Sequence, residues 1–259
     1  MTKTIVWISG ATEGIGLGLA RNVPWSDARI INFSRRVHPD YETVQVDLTD
    51  PASWERARES FRRELDGFSG RAIFIHNAYY SAAVGLVGKV DQTEYEKSLI
   101  ANVAAPLALG EAFIRACPDE VDGGLVMMSS GSAIVPLEGL ASYCAAKVGV
   151  EHWVEVVQRE RESRGGKGPW AVAVRPGAID TEPARAAARL DPSVYPRAGK
   201  VASSKRLDID SAARRIWAQL PPEQGVAVIA FEVAPEGADA RFGTRTRLVP
   251  EEEWRRAII

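Results

Sequence analysis

The sequence predicts an α/β protein: one doubly wound parallel sheet of about seven strands, with helices on both faces and residues 1–259 forming a single domain. Two observations carry this. Short apolar runs bounded by glycine or turn residues alternate along the chain with longer amphipathic stretches, the rhythm of strand, helix, strand. The first run also passes straight into a glycine-rich turn and then a helix, as the opening unit of such a sheet does.

In chain order, Thr4 to Ser9 reads as a buried strand, followed by Gly10-Ala11-Thr12-Glu13-Gly14-Ile15-Gly16 and a helix from Leu17 to Asn22. Glycines at this place let main-chain amides approach a pyrophosphate, whose charge then rests on the helix N-terminus. The spacing, G-x-x-x-G-x-G, departs from the more familiar G-x-G-x-x-G, and a tight strand-to-helix turn without a ligand has the same look. A second strand, Arg29 to Ser34, ends in Ser34-Arg35-Arg36. A carboxylate at that point would accept the ribose 2′-hydroxyl of NAD, whereas arginine accommodates the 2′-phosphate of NADP, so the tip favours NADP(H) over NAD(H). A third strand, Thr43 to Val46, leads to Asp47-Leu48, where Asp47 either accepts from an adenine amino group or is an ordinary loop aspartate.

A helix over 51–65 and a strand over 71–75 follow, the strand ending at His76-Asn77-Ala78-Tyr79-Tyr80. A helix over about 93–116 carries Asn102, a poor helix former in mid-helix. Leu125 to Met128 is the fifth strand, Ala171 to Val174 the sixth, and the latter runs into Arg175-Pro176-Gly177-Ala178-Ile179-Asp180-Thr181. Gly10, Asn77, Ser130 and Gly177 therefore fall at the carboxyl ends of strands, where ligands bind in this architecture. The segment 182–205, with an alanine-rich helix over 184–190, is expected to form a substrate lid. Its Arg185, Arg189, Arg197 and Lys200 either meet an anionic substrate or form a solvated face. A helix over 209–220 and a strand over 226–232 complete the sheet, with Trp254 in the tail.

Composition excludes several classes. The chain is 46% hydrophobic and 25% charged with a net charge of −2 and both signs scattered, so it carries no basic field for nucleic acid or an anionic membrane. No uninterrupted apolar run approaches the roughly 20 residues of a membrane span, and no signal peptide is expected ahead of the first strand. Two cysteines, Cys117 and Cys144, make no disulfide framework and have no metal spacing, which points to a reducing cytoplasm and no metal.

The most specific chemistry lies between Ser130 and Lys147. Tyr143 and Lys147, four apart on one helix, project from the same face. A tyrosine titrates near pH 10, and a fixed ammonium nearby favours its phenolate, so the pair is expected to make a general acid/base for a carbonyl or alcohol oxygen. Ser130 is placed to hydrogen-bond that oxygen. His152 falls roughly 180° around the helix from Tyr143, and the other histidines are His38 and His76. With no Gly-x-Ser-x-Gly elbow, a hydrolase triad is not expected. Cys144, about 100° from Tyr143, reads as packing.

Taken together, Gly10-x-x-x-Gly14-Ile15-Gly16, Asp47, Asn77-Ala78, Asn102, Ser130, Tyr143-x-x-x-Lys147 and Pro176-Gly177-x-Ile179-x-Thr181 resemble the short-chain dehydrogenase/reductase family, in its order and over nearly the whole chain. The Tyr-Cys-Ala-Ala-Lys wording and the C-terminal ending are loosely similar to the sepiapterin-reductase and benzil-reductase branch. The resemblance implies a Rossmann fold and hydride transfer between nicotinamide and a ketone, aldehyde or secondary alcohol. It implies Tyr143 as proton donor or acceptor, Ser130 as the group positioning the substrate oxygen, and Lys147 on the nicotinamide ribose. It also implies Asn102 holding a water that links Lys147 to solvent, and Ile179 and Thr181 meeting the carboxamide. The cofactor set it implies is Gly10, Thr12, Glu13, Gly14, Ile15, Gly16, Ser34, Arg35, Arg36, Asp47, Leu48, Asn77, Ala78, Tyr143, Lys147, Pro176, Gly177, Ile179 and Thr181. A homodimer or homotetramer joined through the helices of Asn102 and Tyr143 is implied as well.

The chain departs from the family pattern at three points. Tyr79 stands where glycine is usual after Asn-Ala, and with Tyr80 it either lines an apolar pocket or packs the loop. Glu13 stands where NADP-preferring members often carry a base, and the last strand lacks a following glycine pair. Glu13 keeps an NAD-dependent dehydrogenase open as an alternative. A catalytically silent dinucleotide sensor is the other, and it would have no use for the Asn102, Ser130, Tyr143 and Lys147 set.

Overall fold

The computed structural model describes residues 3–231 and 245–250; Glu232 and Trp254 lie outside them. The strands are β1 (Lys3–Ser9), β2 (Ala28–Ser34), β3 (Glu42–Gln45), β4 (Gly70–His76), β5 (Asp122–Met128), β6 (Trp170–Arg175), β7 (Val228–Ala230) and β8 (Thr246–Leu248). They form one sheet in the order β3-β2-β1-β4-β5-β6-β7-β8, and every pair is parallel. The expected count of about seven becomes eight because Thr246–Leu248 adds an edge strand beside β7.

Period-two alternation divides β1 between the two faces. Ile5 and Trp7 enter one core with Phe33, Phe61, Phe74 and Phe113, while Val6 and Ile8 enter the other with Leu19, Ile216 and Trp217. The first face is covered by α2 (Trp54–Leu65), α4 (Ala105–Ala116) and α5 (Ala141–Ser163), the second by α1 (Gly14–Arg21) and α8 (Ile209–Trp217). Trp7 meets Phe61 and Phe113 edge-on at 5.4 and 6.0 Å. Full burial of each such side chain contributes about 1.5–3 kcal/mol, so this aromatic layer is the main anchor of the sheet's central strands.

The helix expected over about 93–116 is one rod in three parts: α3 (Gln92–Leu99), a π-helical turn (Ile100–Ala104) that contains Asn102, and α4. The 25-residue rod is long and apolar enough to cross a membrane, yet Leu109 and Phe113 pack into the sheet's core. The π turn, with its i→i+5 hydrogen bonds, was not expected from the sequence. The segment after β6 is built of α6 (Glu182–Ala188) and α7 (Ala198–Ser203), the second of which was not expected.

Chain order reverses between β1 and β4, which are neighbours in the sheet although β2 and β3 intervene in sequence. That switch point opens a crevice at the strands' carboxyl ends. The glycine turn after β1 and Asn77 after β4 form its floor.

Candidate active site

The crevice is a single cavity of about 1340 Å³. A pocket for one drug-sized ligand spans roughly 300–1,000 Å³, so this one has room for an extended ligand and a second molecule. Its walls include Gly10, Thr12, Glu13, Gly14 and Ile15 of the turn, Ser34, Arg35 and Arg36 after β2, and Asp47 and Leu48 after β3. Asn77 and Ala78, Ser130, Tyr143 and Lys147, and Pro176, Gly177, Ile179 and Thr181 complete the set drawn from the sequence. Gly16 and Asn102 lie outside this wall.

The glycine turn is fixed from three sides. Asn77 donates from Nδ2 to the Ser9 carbonyl at 3.2 Å, and Ser9 Oγ accepts from the amides of Asn77 and Ala78 at 2.8 and 2.9 Å. Buried Asn32 accepts from the Ala11 amide at 3.0 Å, a role that its place inside a strand concealed. Gly10 and Gly14 have φ of +75° and +58°, and a Cβ on Gly16 would lie 2.1 Å from the Gly10 carbonyl oxygen. Glycine is thus required at these turns by backbone geometry at two positions and by close approach at the third.

At the tip of β2, Arg36 pairs with Glu13 at 2.9 Å and donates to Thr12 Oγ1 at 3.3 Å. The Ser34 hydroxyl donates to the Arg36 carbonyl. The one acidic side chain of the turn therefore has a basic partner beside it. Asp47 Oδ1 accepts from the Thr49 amide and hydroxyl at 2.9 and 2.8 Å, which shapes the loop after β3.

At the other end of the cavity Tyr143 and Lys147 share one face of α5, and the ammonium lies 5.5 Å from the phenol ring's centre. Lys147 Nζ donates to the Met128 carbonyl at 2.7 Å. Burial pushes the Lys147 pKa down to about 8, opposed by the charge of Glu151 one turn along. The sequence led us to expect a phenol made more acidic by its lysine. Instead burial holds the Tyr143 pKa above the ordinary tyrosine value, and the nearby hydroxyls of Ser130 and, more weakly, Ser132 act in the opposite direction. Ser132 Oγ is buried and is a second hydroxyl beside the phenol that sequence reasoning passed over.

Glu151 holds this corner together. It takes two hydrogen bonds from Arg175, at 2.8 and 2.7 Å, and one from Ser129 at 2.6 Å, all buried. The pair ties α5 to the ends of β5 and β6. Asn102 has a structural task too: its Oδ1 accepts from the Tyr80 amide at 2.8 Å, and its Nδ2 donates to the Tyr80 carbonyl and Ser98 Oγ at 2.9 and 3.1 Å. The two tyrosines after Asn77 diverge. Tyr79 meets Tyr143 edge-on at 4.7 Å, whereas the Tyr80 hydroxyl donates to Glu94.

In the segment over the cavity, Arg185 binds Asp180 at 2.9 Å and Glu182 at 3.1 Å, and Arg189 binds Glu182 at 2.8 Å. Arg197 and Lys200 line the cavity. His152 is exposed, and Cys144 Sγ accepts from the Leu137 amide at 3.4 Å.

A family model described as short chain dehydrogenase matches residues 4–190. The chain belongs to the short-chain dehydrogenase family. Among its relatives, the 3-oxoacyl-(acyl-carrier-protein) reductase FabG of Salmonella typhimurium is 27% identical over 192 residues, covering 70% of this chain and 76% of its own. A benzil reductase ((S)-benzoin forming) of Bacillus cereus is 24% identical over 189 residues, with 68% and 76% covered. A short-chain dehydrogenase of Burkholderia cenocepacia, solved in complex with NADP, superposes with a TM-score of 0.69 at 21% identity, covering 90% of this chain and 89% of that one.

The family binds a nicotinamide dinucleotide, and the residues present suit one. Helix α1 starts at Gly14 with no side-chain cap and no acid in its first turn, so its leading amides are open to a diphosphate. Thr181 lies across from Gly14, with its Cγ2 3.6 Å from where a Cβ there would stand, and both line the cavity.

Proposed function

We propose that this chain is an NADP(H)-dependent oxidoreductase that interconverts a ketone or aldehyde and the corresponding alcohol, with Tyr143 as general acid and base. The observation that carries the reading is the convergence of Ser130, Tyr143 and Lys147 on the cavity that also receives the glycine turn. The dinucleotide supplies hydride chemistry when bound. Ser130 and Ser132 hold the substrate oxygen beside the phenol. A Tyr143 hydroxyl kept protonated by its enclosure is suited to give that proton to the oxygen of a carbonyl undergoing reduction. The phenolate left behind is stabilised by the Lys147 ammonium below the ring.

Preference for NADP(H) over NAD(H) rests on Arg35 and Arg36 at the end of β2 and on the engagement of Glu13 by Arg36. The carboxylate of Glu13 favours NAD(H) as the second reading. Residues 182–205 act as the substrate lid of a single domain. Exposed Leu99 and Val156, on the helices next to Asn102 and Tyr143, suit a homodimer or homotetramer. Free thiols at Cys117 and Cys144 suit the cytoplasm.

The test is oxidation of NADPH or NADH by the purified protein against a panel of ketones and aldehydes. Carbonyl-dependent oxidation, with NADPH bound at least about tenfold tighter than NADH, supports the reading; a tenfold ratio corresponds to about 1.4 kcal/mol. Tight dinucleotide binding without turnover on any carbonyl would favour a sensor.

A further inference from the structure

Next to Lys147 lies a second, much smaller cavity of about 10 Å³, with the apolar side chains of Pro106, Met127 and Val150 in its wall and three polar residues, His76, Asn102 and Lys147. Its volume is that of one water molecule. The three polar residues differ in what they have left to offer. The Asn102 amide is fully engaged by Tyr80 and Ser98. Lys147 spends one of its three protons on the Met128 carbonyl.

His76 ends β4, is 5% exposed, and packs edge-on against Phe74 at 6.0 Å. Its Nε2 is buried without a hydrogen-bond partner. A buried ring nitrogen left without a partner is destabilising. Burial, aided by the charge of Lys147, pushes the His76 pKa down to about 3, so the ring is neutral at physiological pH. The ring also contacts its own main chain, which favours a proton on that side and leaves Nε2 as an acceptor. An ammonium with protons to give and a neutral imidazole with a lone pair to fill thus face one cavity of single-water size.

We propose that His76 is a positioning residue: its Nε2 and the Lys147 ammonium hold one water between them, and that water fixes the ammonium beneath Tyr143. The other titratable groups around the pair are Tyr143 and Glu151 of α5, Arg175 of β6, and Tyr79 after β4. Glu151, shared with Arg175, supports the ammonium from α5, and the water is its polar support on the β4 side. The consequence for proton supply rests on the reading of Tyr143 given above; the water site itself does not.

The test begins with the unaltered protein, as a high-resolution crystal structure and ¹⁵N spectra of its histidines. Expected are one water within hydrogen-bond distance of both His76 Nε2 and Lys147 Nζ, and an unprotonated Nε2. Variants then probe the coupling. His76→Gln keeps a polar atom near the Nε2 position, whereas His76→Leu removes it. In protein labelled at its lysines, Lys147 is expected to titrate near 8 in the wild type and in His76→Gln, and about one pH unit lower in His76→Leu. The basic limb of kcat/KM should move with it, while NADPH affinity stays within about threefold, under 0.7 kcal/mol. A protonated Nε2, a dry cavity, or an unmoved Lys147 midpoint in folded His76→Leu would overturn the proposal. Absence of turnover on every carbonyl, with the water and the titration as expected, would instead overturn the functional reading alone.

Discussion

Lys147 gives its hydrogen bond to the carbonyl of Met128, 2.7 Å away, and meets Tyr143 only through the face of the ring, 5.5 Å from its centre. The lysine is therefore anchored to the end of β5, independently of the phenol. It can stabilise the phenolate without competing for the hydroxyl that must face the substrate. Replacing Tyr143 with Phe removes the transferable proton and leaves this anchor intact. The expected outcome is a fall in kcat of at least about a thousandfold, or 4 kcal/mol, with NADPH affinity within about threefold of wild type. Stopped-flow turnover and fluorescence titration of the cofactor check the two halves separately.

The second prediction concerns pH. Lys147 is charged in the folded protein only below about 8, against an ordinary value of 10.5. Between those values the unfolded chain binds the extra proton and the folded one does not, so this group's contribution makes stability rise with pH from about 8 to about 10.5. Activity moves the other way, because loss of the ammonium removes the support of the phenolate. Turnover should therefore fall above pH 8 while urea midpoints do not fall from this source, and Lys147→Met should abolish the stability gradient.

His76 obeys the same sign at the acid end. Its folded value near 3 lies below the ordinary histidine value of 6.5, so the stability associated with the neutral ring is present above 6.5 and lost as pH falls toward 3. In chemical denaturation across that window, the wild type should lose stability more steeply than His76→Gln.

These predictions stand on parts of the molecule that differ in how far the sequence reveals them. Glycines with positive φ, alternating apolar strands and the Tyr143 to Lys147 spacing are local, and a local pattern is visible in one dimension. The site's supports are not local. Asn32 reaches Ala11, Asn102 clamps Tyr80, and Glu151 meets Arg175 only after the sheet has assembled. The direction of the Tyr143 shift was misread for the same reason: proximity of a lysine is legible in sequence, whereas the enclosure that outweighs it is a property of packing. His76 gave no sign at all, since a histidine at a strand end is an ordinary residue until a cavity is found beside it.

The Glu151–Arg175 pair supplies the fourth prediction. Both side chains are nearly inaccessible, at 6% and 3% exposure, and the carboxylate takes three hydrogen bonds. Glu151→Ala removes the acceptor of all three buried hydrogen bonds, a loss of about 3–5 kcal/mol in unfolding free energy. Glu151→Gln should retain part of the network and sit between the two in thermal unfolding.

The last prediction separates the two arginines at the end of β2. Arg36 is paired with Glu13 at 2.9 Å, and both side chains are about two-thirds exposed, at 65% and 64%. An ion pair so open to water stabilises by only about 0–1 kcal/mol, so a bound phosphate can draw Arg36 away from Glu13. Glu13→Gln removes that competition and the repulsion together. NADPH affinity should then rise about three- to tenfold, with NADH affinity changed by less than about twofold. Arg36→Ala leaves Glu13 unopposed beside the ribose, and NADPH affinity should fall further than in Arg35→Ala, while the double variant Glu13→Gln with Arg36→Ala recovers part of the loss. If NADPH and NADH affinities change in parallel across these variants, the tip of β2 does not read the 2′-phosphate, and the carboxylate of Glu13 becomes the better guide to the cofactor.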